Sequence, residues 1–245
     1  GVLLLHPWGF DARIFANLTP ALSKRYRVVL LDLPAHGDST LVSTPLPVER
    51  LARSALDVLD RAGVTKAYVV GTSMGGATAL ALATRAPDRV ERLAIISAPG
   101  GKPLPKPVLF LVDRFSEHED CLRLTSFAWR AGRALSLQTE SPLAKYLHYD
   151  WDQKRKDPSF YARCVASLRA LYSVVRFTPD YEVLKQHKIP TWVLRGSRDD
   201  TVWLSYAEKM AERLDAPFVE IPQCGHLPQI QCPQALMQSL GEFLK

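Results

Sequence analysis

The fold is decided by the stretch Ala67-Tyr68-Val69-Val70-Gly71-Thr72-Ser73-Met74-Gly75-Gly76, in which an apolar strand pattern runs into a glycine-rich turn and then into an Ala- and Leu-rich helix. A serine lifted on such a turn needs residues with almost no side chain two positions before and two positions after it, because the backbone passes close to itself. Gly71 and Gly75 fill those positions around Ser73. The stretch therefore predicts a nucleophilic serine at the start of a helix. A phosphate-binding turn is the alternative, but the lysine and the glycine spacing of such turns are absent.

Short apolar runs rich in Val, Ile and Leu recur along the chain, with helical patterns between them. Continuous hydrophobicity is typical of strands that are covered on both faces. The alternation of strand and helix predicts an α/β fold, with a mostly parallel sheet flanked by helices and ligands at the carboxyl ends of the strands. The runs are Val2–Leu5, Arg27–Leu31, Ala67–Val70, Leu93–Ser97, Thr191–Arg195 and Phe218–Ile221.

The alternation breaks between Gly100 and His187, where helical patterns follow a proline-rich start and no strand pattern occurs. This segment holds more than half of the aromatic residues of the chain. We expect a core of sheet and helices in residues 1–99 and 188–245, with a helical lid, residues 100–187, inserted between two late strands. If the segment is a lid, its aromatic side chains lie over an apolar pocket. The alternative is an insert whose aromatic residues form only its own core.

A serine hydroxyl needs a base to take its proton and an acid to orient that base. His226 lies in a loop just past the last predicted strand, and Asp199 follows the strand before it. Because the carboxyl ends of parallel strands meet at one edge of a sheet, both side chains are expected near Ser73. Asp200 is the immediate rival of Asp199. The other histidines lie in the insert or in the loops after the first two strands.

The order Ser73, Asp199, His226 resembles the α/β-hydrolase superfamily. The segment His6-Pro7-Trp8-Gly9-Phe10 is similar to the loop that supplies an oxyanion N–H in that family, and residues 32–39, Asp-Leu-Pro-Ala-His-Gly-Asp-Ser, resemble its D-L-P-G-H-G-x-S turn. Gly196-Ser197-Arg198-Asp199 is similar to its G-x-x-D acid loop, which favours Asp199 over Asp200. The resemblance implies an oxyanion hole made by the backbone N–H groups of Trp8 and Met74. It also implies that the first strands of the fold are missing before Gly1.

The resemblance further implies a serine hydrolase that cleaves a carboxylic ester through an acyl-enzyme, with no cofactor and no metal. The aromatic-rich insert favours a small substrate with an apolar acyl or aryl group. Capped, monoacylglycerol-lipase-like esterases are one similar group, and hydrolases that cleave a C–C bond in ring-fission products are another. The second group commonly carries Asn before the serine and Trp after the histidine, where this chain has Thr72 and Leu227. C–C hydrolysis, perhydrolysis and ligand binding without turnover stay as alternatives.

Composition narrows the remaining classes of function. The 31 Lys and Arg against 25 Asp and Glu give a net charge of +6 without a basic cluster interleaved with aromatic residues, so nucleic acid is not an expected partner. The uncharged run 67–84 carries glycines at its middle, which disfavours a membrane span. We expect a cytoplasmic protein and make no prediction of its oligomeric state. Any targeting signal would precede Gly1.

Four cysteines, Cys121, Cys164, Cys224 and Cys232, form neither a Cys-x-x-Cys pair nor a zinc spacing with histidine. They are expected to be reduced and mostly buried thiols.

Overall fold

The structure is a computed structural model that describes residues 1–41, 46–102, 105–107, 110, 143, 145, 146, 153 and 156–245. Strands and helices alternate through most of it. In chain order the elements are β1 (Val2–Leu5), a 3₁₀ helix (Ala12–Phe15), α1 (Thr19–Leu22), β2 (Val28–Leu30), α2 (Val48–Arg61), β3 (Ala67–Thr72), α3 (Met74–Arg85), a second 3₁₀ helix (Pro87–Arg89), β4 (Val90–Ile96), α4 (Phe160–Arg176), α5 (Tyr181–Gln186), β5 (Thr191–Gly196), α6 (Leu204–Leu214), β6 (Phe218–Ile221), α7 (Pro228–Gln231) and α8 (Pro233–Phe243).

The strands form one sheet of six in the order β2-β1-β3-β4-β5-β6. Every neighbouring pair is parallel. Each strand lies within or overlaps one of the predicted apolar runs, so the predicted α/β class and the mostly parallel sheet are confirmed. Because all six strands run in the same direction, the loops that follow them open at one edge of the sheet, where ligands bind in folds of this kind.

Two apolar layers cover the sheet. In β1, Leu3 and Leu5 face a cluster built with α2, α3 and α6, while Val2 and Leu4 face a cluster built with the first 3₁₀ helix and α8. All four side chains are fully buried. Because both faces of the strand are buried, its residues form a continuous apolar run and do not alternate with polar residues.

The segment between β4 and β5 contains α4 and α5, which are the described helices of the predicted lid. The α4 helix packs on α2 and α3, and its Ser173 hydroxyl accepts a hydrogen bond of 2.8 Å from the Val48 N–H at the start of α2. Most of the predicted lid between residues 103 and 155 lies outside the described residues. The lid function and the domain bounds therefore stay predictions.

Glycines allow three elements to meet closely at the turn between β3 and α3. A Cβ atom on Gly71 would lie 2.2 Å from the carbonyl oxygen of Gly75, and a Cβ atom on Gly75 would lie 2.1 Å from that of Leu5. Real side chains do not tolerate such separations from backbone atoms. The predicted need for glycine on either side of Ser73 is confirmed.

Two buried histidines link the loops after β1 and β2. His6 donates from Nδ1 to the Pro7 carbonyl (2.8 Å), and its Nε2 accepts from the Leu33 N–H (2.9 Å). The His36 ring lies 5.2 Å from the His6 ring. Burial lowers the pKa of His6 to about 4 and, together with the neighbouring His6, that of His36 to about 3. Both imidazoles are therefore neutral at pH 7.

In the described part of the chain, no helix combines the length and the apolar character that crossing a membrane requires.

Replacing Gly71 by Ala should lower the free energy of unfolding by roughly 2–4 kcal/mol, because the new Cβ forces the backbone of the turn apart. Gly241→Ala is the matched control. No atom of the described residues lies within 4 Å of its Cβ position in α8, so this substitution should be neutral or should stabilise by up to about 1 kcal/mol. Urea unfolding measures both variants, and equal unfolding midpoints would contradict the close approach.

The histidine pair predicts a loss of stability on mild acidification. An unfolded histidine binds a proton near pH 6.5, whereas folded His36 does so only near pH 3, so the free energy of unfolding falls as the pH drops between these values. His6, Asp11 and Asp32 are the titratable groups that act on His36. The difference in unfolding free energy between pH 7 and pH 4 should shrink by roughly 3 kcal/mol in His36→Phe.

The control for that measurement is His187→Phe, because the side chain of His187 is 42% exposed. A change in slope is assigned to the buried pair only where it exceeds the change in this variant. An unchanged slope in His36→Phe would show that the acid sensitivity arises elsewhere.

Candidate active site

Ser73 stands on the turn between β3 and α3 with φ 54° and ψ −116°. A positive φ in a residue with a side chain is unfavourable and persists only where the surroundings enforce it. Here the Ser73 N–H donates to the Ile96 carbonyl at the end of β4 (2.8 Å), and the flanking glycines close the turn. The serine is thereby held at the carboxyl edge of the sheet, directly before the N-terminus of α3.

Asp199 and His226 come together in the loops after β5 and β6. The Nδ1 atom of His226 lies 3.0 Å from Oδ1 and 3.1 Å from Oδ2 of Asp199. Asp199 is 4% exposed, whereas Asp200 is an exposed residue whose Oδ1 accepts a hydrogen bond from the Thr201 hydroxyl. The structure thus pairs His226 with Asp199 and not with its rival.

The Asp199 carboxylate is ionised although it is buried. Burial raises the pKa of Asp199, but the hydrogen bond and charge of His226 and the Val202 N–H outweigh it and hold the pKa below its usual value. Oδ1 also accepts hydrogen bonds from the N–H groups of Thr201 (2.9 Å) and Val202 (3.0 Å). Ser97, buried after β4, also lowers the pKa of this carboxyl group.

A buried arginine braces the loop that carries Asp199, and the sequence reasoning missed it. The guanidinium of Arg195 donates from Nη2 to the Asp199 carbonyl (2.5 Å) and from Nε to the Val202 carbonyl (2.8 Å). Its Nη1 lies 3.2 Å from the Glu220 carboxylate. The sequence does contain a signal for this role, because Arg195 lies in an otherwise apolar strand. A charge buried at such a position requires hydrogen-bond or ion-pair partners.

The loop that carries His226 is closed by a disulfide between Cys224 and Cys232. The prediction of four reduced thiols was therefore wrong for this pair. The two Cα atoms lie 6.0 Å apart because the short α7 helix folds the chain back between them, an arrangement outside the Cys-x-x-Cys pattern considered from sequence. Cys164 is not part of a disulfide, and Cys121 lies outside the described residues.

The residues of the predicted oxyanion hole border the same edge. Trp8 lies in the turn after β1 and packs against the apolar layer that contains Leu5, and Met74 is the first residue of α3. The first N–H groups of a helix have no partner within the helix and carry the positive end of its dipole. Their use as oxyanion donors stays a prediction.

The described residues show two parts of the predicted triad in contact. Asp199 and His226 are hydrogen-bonded, whereas Ser73 makes no hydrogen bond to either of them among the described residues. Hydrogen bonds between a nucleophile and its base are often long without substrate and tighten when it binds. A search of the same residues for three or more His, Cys, Asp and Glu side chains that could hold a metal ion finds no such group.

Three curated relatives match most or all of the chain. The pimeloyl-[acyl-carrier protein] methyl ester esterase of Nitrosomonas europaea is 26% identical over 248 residues, which are 95% of this chain and 91% of that protein. The 2-hydroxy-6-oxo-6-phenylhexa-2,4-dienoate hydrolase of Burkholderia cepacia is 27% identical over 256 residues, which are 99% of this chain and 87% of that protein.

The third relative is the dihydrolipoyllysine-residue acetyltransferase component of the acetoin cleaving system of Pseudomonas putida, which is 28% identical over 253 residues. The match covers 100% of this chain but 63% of that protein, so the chain spans less than two thirds of that relative.

The sequence also matches the family described as "Alpha/beta hydrolase family" over residues 2–238. That match includes all six strands of the parallel sheet and the loops that carry Ser73, Asp199 and His226. The resemblance first seen in four short motifs therefore extends over nearly the whole chain. This protein belongs to the alpha/beta hydrolase family.

Proposed function

We propose that this chain is a serine hydrolase that cleaves carboxylic esters. The observation that carries the proposal is the buried Asp199 carboxylate on Nδ1 of His226, at the sheet edge that also carries Ser73. A carboxylate on Nδ1 leaves Nε2 as the nitrogen that accepts a proton, which is the tautomer that a serine nucleophile needs. A methyl ester esterase among the relatives supports the same chemistry.

In the proposed reaction, Ser73 Oγ attacks the ester carbonyl carbon while His226 Nε2 takes its proton. The resulting oxyanion is stabilised by the Trp8 and Met74 N–H groups, and the imidazolium then gives its proton to the departing alcohol. Water attacks the acyl-enzyme by the same route, which releases the acid and restores Ser73. Asp199 stays ionised throughout and stabilises the imidazolium, in agreement with its lowered pKa.

The proposed substrate carries an apolar acyl or aryl group. The support is compositional, since the segment from Gly100 to His187 is rich in aromatic residues and its described helix α4 packs beside α3, which begins directly after Ser73. A series of p-nitrophenyl esters of increasing acyl length tests this proposal. The value of kcat/KM should rise with length, and a preference for the shortest, most polar acyl group would contradict it.

Hydrolysis of a C–C bond is the second candidate, and the Burkholderia cepacia relative favours it. Thr72 and Leu227, both buried, stand where that group commonly has Asn and Trp. An assay with 2-hydroxy-6-oxo-6-phenylhexa-2,4-dienoate separates the two activities. Faster turnover of the dienoate than of every ester would replace the ester proposal.

Substituting Ser73 by Ala should lower kcat for the best ester by about 10⁴-fold or more, because the acyl-enzyme cannot form. In the parent protein, a fluorophosphonate should label Ser73, as peptide mass spectrometry would show. A parent without turnover of any ester would favour a ligand-binding protein, and unchanged turnover in Ser73→Ala would refute the nucleophile.

Asp199→Asn and Asp200→Asn form a matched pair that tests the acid. The first change removes the charge that fixes the imidazole tautomer, so kcat should fall by about 10⁴-fold at neutral pH. The second alters an exposed side chain and should leave kcat near the parent value. Loss of activity in Asp200→Asn alone would overturn the assignment.

A further inference from the structure

The disulfide between Cys224 and Cys232 brackets His226. The two cysteines are separated by 8 positions, and His226 lies inside the covalent ring that they close. The described part of the chain contains one other cysteine, Cys164, which is not part of a disulfide. The proposed catalytic base therefore lies in a short loop that a covalent cross-link closes.

One end of the cross-link is held by the acid loop. The carbonyl of Cys224 accepts a 2.7 Å hydrogen bond from the Arg198 N–H, next to Asp199. A Cβ atom on Gly196 would lie 2.3 Å from that same carbonyl oxygen, so the two loops pack backbone against backbone. Any displacement of Cys224 therefore changes the alignment of His226 with Asp199.

The other end is held by the apolar core. Cys232 directly precedes α8, whose Leu236, Leu240 and Phe243 are fully buried against the sheet. Within the ring, the Leu227 N–H donates to Oε1 of Gln231 (3.0 Å), and the Cys232 N–H donates to the Pro228 carbonyl (2.9 Å). The disulfide thus joins the Asp199 loop to a helix anchored in the core, with His226 between them.

We propose that the Cys224–Cys232 disulfide is a positioning element for His226, so that its reduction lowers the rate of the chemical step. This inference rests on the proposed function, because it assigns the base to His226. Loop motion of about 1 Å at a catalytic group is enough to lower kcat by up to about 100-fold. Substrate binding does not depend on the base, so KM should change little.

The chemistry needs an external dithiol as reductant. One thiolate of the dithiol attacks Sγ of Cys232, the more exposed of the two cysteines, and breaks the S–S bond to release the Cys224 thiolate. The second thiolate of the reductant then attacks the mixed disulfide and releases the Cys232 thiolate. Two electrons pass to the protein, both thiolates take up protons, and the reductant leaves as its cyclic disulfide.

The experiment uses a reference variant with Cys121→Ala and Cys164→Ala, in which only the pair can titrate. The protein is equilibrated in buffers with graded ratios of reduced to oxidised dithiothreitol. Alkylation followed by mass spectrometry measures the fraction reduced, and ester hydrolysis measures kcat and KM at each ratio. We expect kcat to fall by about 10- to 100-fold along the same curve as the fraction oxidised, with KM nearly unchanged.

The control adds Cys224→Ala and Cys232→Ala to the reference variant. It should have the low kcat of the reduced protein and should not respond to dithiothreitol. A low-field proton resonance from the Nδ1–H of His226 provides a second measurement, which should weaken on reduction. Far-ultraviolet circular dichroism checks that the reduced protein stays folded.

Four outcomes overturn the proposal: thiols on both cysteines in oxidised buffer, an unchanged kcat on reduction, a fall in kcat that follows unfolding, or a low-field resonance that reduction leaves unchanged. Failure of the proposed function has a different signature, because esters would then be inert in every buffer or Ser73→Ala would remain active. In that case the low-field resonance alone decides whether the disulfide positions His226.

Discussion

Much of the molecule depends on one close backbone approach, where α3 meets β3 and the end of β1. Without side chains on Gly71 and Gly75, the Leu5 carbonyl and the first turn of α3 come within a distance that no Cβ atom allows. The hydrogen bond from the Ser73 N–H to Ile96 extends this contact to β4. The position of Ser73, the proposed nucleophile, is consequently set by three central strands and a helix, and not by a loop that could adjust independently.

Several features could be predicted because they arise from neighbours in sequence. Burial on both faces makes a strand such as β1 a continuous apolar run, and the required glycines lie two positions from Ser73. The distinction between Asp199 and Asp200 also depends on local register, since the loop after β5 directs only the first of them to His226. Each of these features can be recognised within about ten residues of sequence.

Other features depend on contacts that local sequence does not encode. The disulfide forms because α7 turns the chain back, and a four-residue helix that begins at Pro228 gives little periodic signal. His36 lies in a turn with several polar residues. It is nevertheless buried, because it packs against His6 on another loop. Arg195 becomes a brace only when the loop after β5 folds over it. Such contacts follow from the assembled sheet rather than from propensity.

The position of β4 between β3 and β5 determines how far apart the residues of the site lie. Ser73 follows β3 and Asp199 follows β5, so the proposed nucleophile and the proposed acid are offset by two strand spacings, or about 10 Å. A carboxylate cannot touch a serine hydroxyl across that gap, but an imidazole hydrogen-bonded at both nitrogens has the length to bridge most of it. The spacing of the strands therefore favours a side chain of the size of histidine between them, and the loop after the next strand, β6, supplies it.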